Sequence, residues 1–169
     1  FAFFLVVLLS RERGLSLVES GVPLAAYNIS GVVGALFFGY LGDRVNARPL
    51  IVGSLVFSVP ALLAFLQIEG PLSYIPLALG GGLVLASNSI LVALAQELVP
   101  QRSGLASSLP LGFSWGLASL SLGPVGWFAD TYGVTETLRW LALLPLVTAT
   151  VALFLPARPH PTPDTTEKE

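Results

Sequence analysis

Asn28 sits near the middle of a long apolar run, and Ser87-Asn88-Ser89 interrupts another. An amide at membrane depth must find hydrogen-bonding partners. Asn28 and Asn88 therefore act either as glue between helices or as contacts for a polar substrate. The serines beside Asn88 are more readily explained by bonds to carbonyls of their own helix. Trp115 also lies mid-run, away from any interface, and its indole N–H calls for an acceptor whether it packs or walls a cavity. Around it, Gly112-Phe113-Ser114-Trp115-Gly116 has the GxxxG spacing that lets helix backbones approach, so Gly112 and Gly116 are read as packing residues. Gly80-Gly81-Gly82 is read as a close helix crossing rather than a hinge. No Asp, Glu, Lys or His lies within these runs, so the serines have no base or acid partner there for nucleophilic catalysis. The chain also has no Cys, which excludes thiolate chemistry, disulfides and zinc-finger sites. The expectation is a non-enzyme with no cofactor and no metal site, and with an inert His160 in the tail.

The elements that must position these residues are set by composition. Hydrophobic residues make up 54% of the chain and charged ones 11%, against about 25% charged in soluble domains. The mean hydropathy of +0.80 agrees with a lipid bilayer as the solvent. The eight Lys and Arg are scattered and form no basic stripe, so nucleic acid is not an expected partner. A hydrocarbon core of ~30 Å needs roughly 20 apolar helical residues. Five such spans are read at 22–41, 49–68, 72–95, 105–129 and 138–155. The apolar stretch 1–9 reads as the end of a further, truncated helix, residues 10–155 as a five-span body, and 156–169 as a disordered, proline-rich tail. Ser16-Leu17-Val18-Glu19 fits a capping box that starts the first complete helix near Leu17. Pro71 suits a first helical position, and Glu136 favours the start of the last helix through the dipole. The first, third and fourth complete spans are rich in Gly, Ser and Asn and should pack together or line a cavity. The last has no Gly and is placed against lipid.

Between the first two complete spans stands Gly39-Tyr40-Leu41-Gly42-Asp43-Arg44-Val45-Asn46-Ala47-Arg48. It resembles the signature turn of the major facilitator superfamily, Gly-x-x-x-Asp-Arg-x-Gly-Arg-Arg, with Asn46 and Ala47 as the departures. Gly39 would allow close helix contact there, Asp43 would sit at a helix N-terminus, and Arg44 and Arg48 would pair with carboxylates or lipid phosphates. A second stretch is similar to fosmidomycin-resistance-type efflux permeases. It comprises Gln96-Glu97-Leu98-Val99-Pro100, then Gly104-Leu105-Ala106-Ser107-Ser108, Gly112-Phe113, Gly116, Gly126 and Ala129-Asp130. The likeness runs over about 14–156. It departs at Ala118-Ser119-Leu120-Ser121, where that family has clustered glycines.

This resemblance implies an all-α, polytopic helix bundle: the C-terminal half of a twelve-helix transporter, comprising the end of helix seven and helices eight to twelve. It implies a cavity lined by helices seven, eight, ten and eleven. It also implies a cytoplasmic charge network in which Glu97 joins Arg44 or Arg102. The implied activity is alternating-access transport of a small molecule, in the form of proton-coupled drug efflux. Its partners would be protons, the bilayer and an N-terminal half that supplies the coupling carboxylate. Uptake of a small metabolite and a non-transporting scaffold are the alternative readings. The implied place is the bacterial inner membrane. Arg44, Arg48, Arg102, Arg158 and Lys168 lie on one side, against Arg11, Arg13 and Arg139 on the other, which puts the C-terminus in the cytoplasm by the positive-inside rule. Tyr74, Trp127, Tyr132 and Trp140 fall at the opposite face, as interfacial anchors.

Overall fold

The computed structural model describes residues 1–42, 44–98 and 100–155. These residues form a bundle of α-helices, and no strand occurs among them. The elements are α1 (Ala2–Arg11), α2 (Leu17–Gly42), α3 (Ala47–Gln67), α4 (Tyr74–Leu98), α5 (Ser103–Tyr132) and α6 (Val134–Ala152). Each of the five expected spans corresponds to one of the helices α2 to α6. By length and composition, the stretches Leu17–Gly42, Ala47–Gln67, Pro71–Glu97 and Val134–Ala152 are long and apolar enough to cross a membrane. At 30 residues α5 is also long enough to span a hydrocarbon core. The expected tail, 156–169, lies outside the described residues.

Local chemistry sets several boundaries. The Ser16 hydroxyl accepts the Glu19 N–H at 3.2 Å. The Glu19 carboxylate accepts the Ser16 N–H at 2.8 Å, which is the reciprocal arrangement of a capping box. A 3-10 turn at Pro71–Ser73, with Pro71 at its start, leads into α4. Gly70 and Gly133 both have positive φ, at 76° and 93°, where a side chain would be strained.

The helices are layered around α4. On one side α4 packs against α2, and on the other against α3. Gly81 lies under the Tyr27 ring, and a Cβ added at Gly80 would meet Leu62 Cδ2 at 2.6 Å. A Cβ added at Gly34 would come within 2.5 Å of the Gly82 carbonyl oxygen. The glycine triplet is therefore a double crossing, with adjacent residues serving two different neighbours. Successive contacts advance together along α2 and α4, from Tyr27 with Gly81 to Gly42 with Ile90, so the two helices run parallel.

Outside this pair, α3 lies between α4 and α6. It buries Ala47, Ile51, Leu55, Val59, Leu62 and Phe65. From α6, Leu138, Ala142, Ala149 and Ala152 are buried on a single stripe, while Trp140, Val147 and Val151 are exposed. That one-sided burial suits an outer helix with lipid on its other face. The core has two centres. At one end Phe4, Leu5, Leu8 and Leu9 of α1 meet Tyr27, Phe65, Leu77, Ala129 and Leu138. At the other, Ala47, Ile51, Leu55 and Ile90 meet Ala149 and Ala152.

Candidate functional site

The amides separate on hydrogen bonding. Both Asn28 and Asn88 are exposed in the bundle. Asn28 Nδ2 donates to the Leu24 carbonyl of its own helix at 2.8 Å, so part of its hydrogen-bonding capacity is met without a neighbour. The Asn88 side chain has no hydrogen-bond partner among the described residues. Its flanking serines bond backward within α4, Ser87 to Val84 at 2.7 Å and Ser89 to Ala86 at 2.8 Å. Ser89 also reaches the Ala35 carbonyl of α2 at 3.4 Å, a weak tie across the parallel pair.

On α5, residues 111–124 are exposed throughout. This helix joins the bundle near its ends. At its start Ser107 Oγ accepts from Gln96 Nε2 of α4 at 2.8 Å, and near its finish Ala129 enters the core around α1. Trp115 is 73% exposed, so most of its surface is left uncovered by the described residues. None of the described residues offers a contact within 4 Å of a Cβ added at Gly112 or Gly116. With Phe113, Leu117 and Leu120 these glycines line a shallow depression of about 340 Å³. A second apolar cleft of about 330 Å³ lies between α5 and α6, bordered by Val125, Phe128, Trp140 and Leu144.

At the expected signature turn, Asp43 lies outside the described residues. Gly39 has no atom within 4 Å of an added Cβ, and the glycine that meets a neighbour is Gly42, 3.9 Å from Ile90. The Arg44 guanidinium lies 4.4 Å from the Tyr40 ring centroid, a cation–π contact one turn back along the chain. Arg48, Glu97 and Arg102 are exposed. Two salt bridges join described residues, Arg11 with Asp130 and Glu136 with Arg139.

Sequence reasoning missed the densest polar cluster, which lies at the opposite end. Glu12 Oε1 accepts the backbone N–H groups of Val134 at 3.1 Å and Thr135 at 3.2 Å, and Oε2 accepts the Thr135 hydroxyl. Arg13 Nη2 donates to the Phe65 carbonyl at 2.8 Å, and Nη1 donates to Ser73 Oγ at 3.1 Å. Its guanidinium also covers the Phe65 ring at 4.7 Å. Burial lowers the Arg13 pKa from its ordinary value, opposed by Glu69, Tyr74 and Glu12. In sequence these residues read only as loop charges, because their partners are up to 123 positions away. Gly133 was the available signal, since a helix that starts after glycine lacks a side-chain cap of its own. Among the described residues no cluster of His, Asp or Glu could hold a metal ion.

Comparison with known proteins gives the frame for this geometry. The family model described as Major Facilitator Superfamily matches residues 1–169. An uncharacterized MFS-type transporter, YfnC, of Bacillus subtilis (strain 168) is 35% identical over 144 residues, covering 85% of this chain and 35% of that protein. The fosmidomycin resistance protein of Escherichia coli (strain K12) is 31% identical over 157 residues, covering 90% of this chain and 37% of that protein. The benzoate transport protein of Acinetobacter baylyi (strain ATCC 33305 / BD413 / ADP1) is 28% identical over 149 residues, covering 85% and 31% respectively. The chain thus spans about a third of the length of these relatives. No solved structure matches.

Proposed function

The chain belongs to the major facilitator superfamily, and we propose that it is the C-terminal part of a secondary transporter that exports a small molecule in exchange for protons. The observation that carries this reading is the family match along the whole chain. The relative named for fosmidomycin resistance supports export as the direction. In this proposal α1 is the end of helix seven, and α2 to α6 are helices eight to twelve. The cavity wall comes from α2, α4 and α5, with Asn28, Asn88 and Trp115 as its polar and aromatic contacts, while α6 faces lipid. Gly112 and Gly116 pack against the N-terminal half. Gly39, Asp43, Arg44 and Arg48 form the cytoplasmic turn, and Glu97 with Arg102 joins its network when the cytoplasmic side is closed. Residues 1–9 are helix end, 10–155 the five-helix body and 156–169 a cytoplasmic tail, in a bacterial inner membrane. No Asp, Glu or His lies within the spans of this chain, so the proposal assigns the proton-coupling carboxylate to the N-terminal half.

A second reading, uptake of a small metabolite, is favoured by the benzoate transport relative. The two are separated with the native polypeptide that contains this chain, expressed in a drug-sensitive bacterium. Export predicts raised fosmidomycin tolerance, and fosmidomycin-driven proton movement in inverted vesicles that a protonophore abolishes. Unchanged tolerance, together with proton-driven benzoate accumulation in whole cells, would favour uptake.

A further inference from the structure

Glu12 and Arg13 are adjacent residues of opposite charge, and each meets a helix terminus of the matching polarity. Val134 and Thr135 are the first two residues of α6, whose preceding residue, Gly133, has no side chain to cap their N–H groups. Glu12 supplies that cap from the far end of α1, placing a negative charge at the positive end of the helix dipole. Phe65 lies in the last turn of α3, where carbonyls lack intrahelical donors, and Arg13 places a positive charge there. The second arm of Arg13 reaches Ser73, which is fully buried and donates in turn to the Gly70 carbonyl at 2.7 Å. One dipeptide therefore ties the end of α1 to the start of α6, the end of α3 and the turn that opens α4. Beneath it, Leu5, Leu8 and Leu9 of α1 fill the core shared by the other helices.

We propose that Glu12 and Arg13 form a permanent brace that keeps the ends of α1, α3, α4 and α6 one rigid unit throughout the transport cycle. The signature-turn end differs in kind. Arg44, Arg48 and Arg102 there are exposed and make no salt bridge among the described residues, leaving them available for contacts that form and break. The brace rests on the transport reading for its purpose, while its rigidity is measurable without flux.

The test is spin-label distance measurement on the native polypeptide in lipid nanodiscs. Labels replace Glu69 and Glu136, exposed residues beside the brace, and these 169 residues carry no competing cysteine. The expected result is one narrow distance distribution, unchanged between acidic and alkaline pH and with or without fosmidomycin. Glu12→Ala should lose the narrow peak, and Glu12→Gln, whose amide oxygen still accepts the Val134 and Thr135 N–H groups, should restore it. Arg13→Lys should not restore what Arg13→Ala loses, because Lys lacks the two-armed fork. A wild-type distribution that shifts between conditions, or one that Glu12→Ala leaves narrow, overturns the brace. If Glu12→Ala does not fold, the wild-type measurement and Thr135→Val, which removes a single bond, decide instead. A narrow, invariant distribution in a protein that moves no substrate would retain the brace and reject the transport reading.

Discussion

Asp43 and the two mid-span amides ask different things of single residues. Asp43→Asn keeps the size of the side chain and removes the charge that a helix N-terminus favours. The expected outcome is loss of substrate transport with membrane expression intact. Full transport in the variant would undercut the functional reading of the turn and revive the scaffold alternative. Asn28 and Asn88 look equivalent in sequence, yet the structure distinguishes them. Asn28 already donates to Leu24, whereas the Asn88 side chain has no partner in the described residues. An unmet amide in hydrocarbon is costly, so Asn88 belongs against substrate, water or the other half. Asn88→Leu is expected to raise the KM for substrate about 10-fold, the loss of ~1.4 kcal/mol of binding, with little change in thermal stability. Asn28→Leu, whose amide donor is already engaged within its own helix while its carbonyl oxygen faces the proposed cavity, is expected to raise KM less, about 3-fold or ~0.6 kcal/mol. Substrate-concentration series on both variants provide the check, and equal effects would mean that the local hydrogen bond does not separate them.

Helix packing shows how much a sequence exposes of its own elements. The five spans and the capping box were legible because hydrophobic length and local hydrogen bonds are short-range properties. Glycine was legible at Gly80-Gly81-Gly82, where Gly80 faces α3 and Gly81 and Gly82 face α2. It was less legible at isolated positions. At the turn no described atom lies within 4 Å of a Cβ added at Gly39, one added at Gly42 would meet Ile90 in ordinary contact at 3.9 Å, and the GxxxG pair on α5 has no neighbour within 4 Å among the described residues. Spacing says that a backbone can approach; it does not say which backbone arrives. The brace was invisible for the related reason that Glu12 and Val134 are brought together only by the packing of α1 against α6. A paired substitution exposes the difference. Gly34→Ala pushes a methyl against the Gly82 backbone, which cannot swing aside as a side chain can. It is expected to destabilise by ~1–3 kcal/mol, as overpacked sites do, and to lower the unfolding midpoint in detergent. Gly112→Ala meets none of the described residues and, in the 1–169 chain, should leave the midpoint unchanged or raise it slightly through better helix propensity. The opposite ranking would mean that the α2–α4 crossing is looser than the structure has it.

For the whole molecule, the question is whether this bundle can act by itself. Residues 111–124 of α5 are exposed on every side, and α2 also exposes Val32, Val33, Leu36 and Phe37. Apolar surface alone needs no protein partner in a bilayer, since lipid covers it at no hydrophobic cost. Asn88 and the indole of Trp115 are harder to leave in lipid, because their donors lose water without gaining an acceptor. A cavity between two halves meets both requirements, with small residues at the seam and polar groups on the wall. It also leaves the coupling carboxylate to the other half, since no Asp, Glu or His falls within the spans of this chain. Residues 1–169, purified and placed in liposomes under a proton gradient, are therefore expected to show no fosmidomycin flux above protein-free vesicles. Co-reconstitution with the N-terminal part of the native polypeptide should restore flux, and a charge-removing change at the coupling carboxylate of that part should abolish it again. Flux from residues 1–169 alone would mean that one bundle, or a pair of copies of it, builds the whole path, and the two-half reading would have to be abandoned.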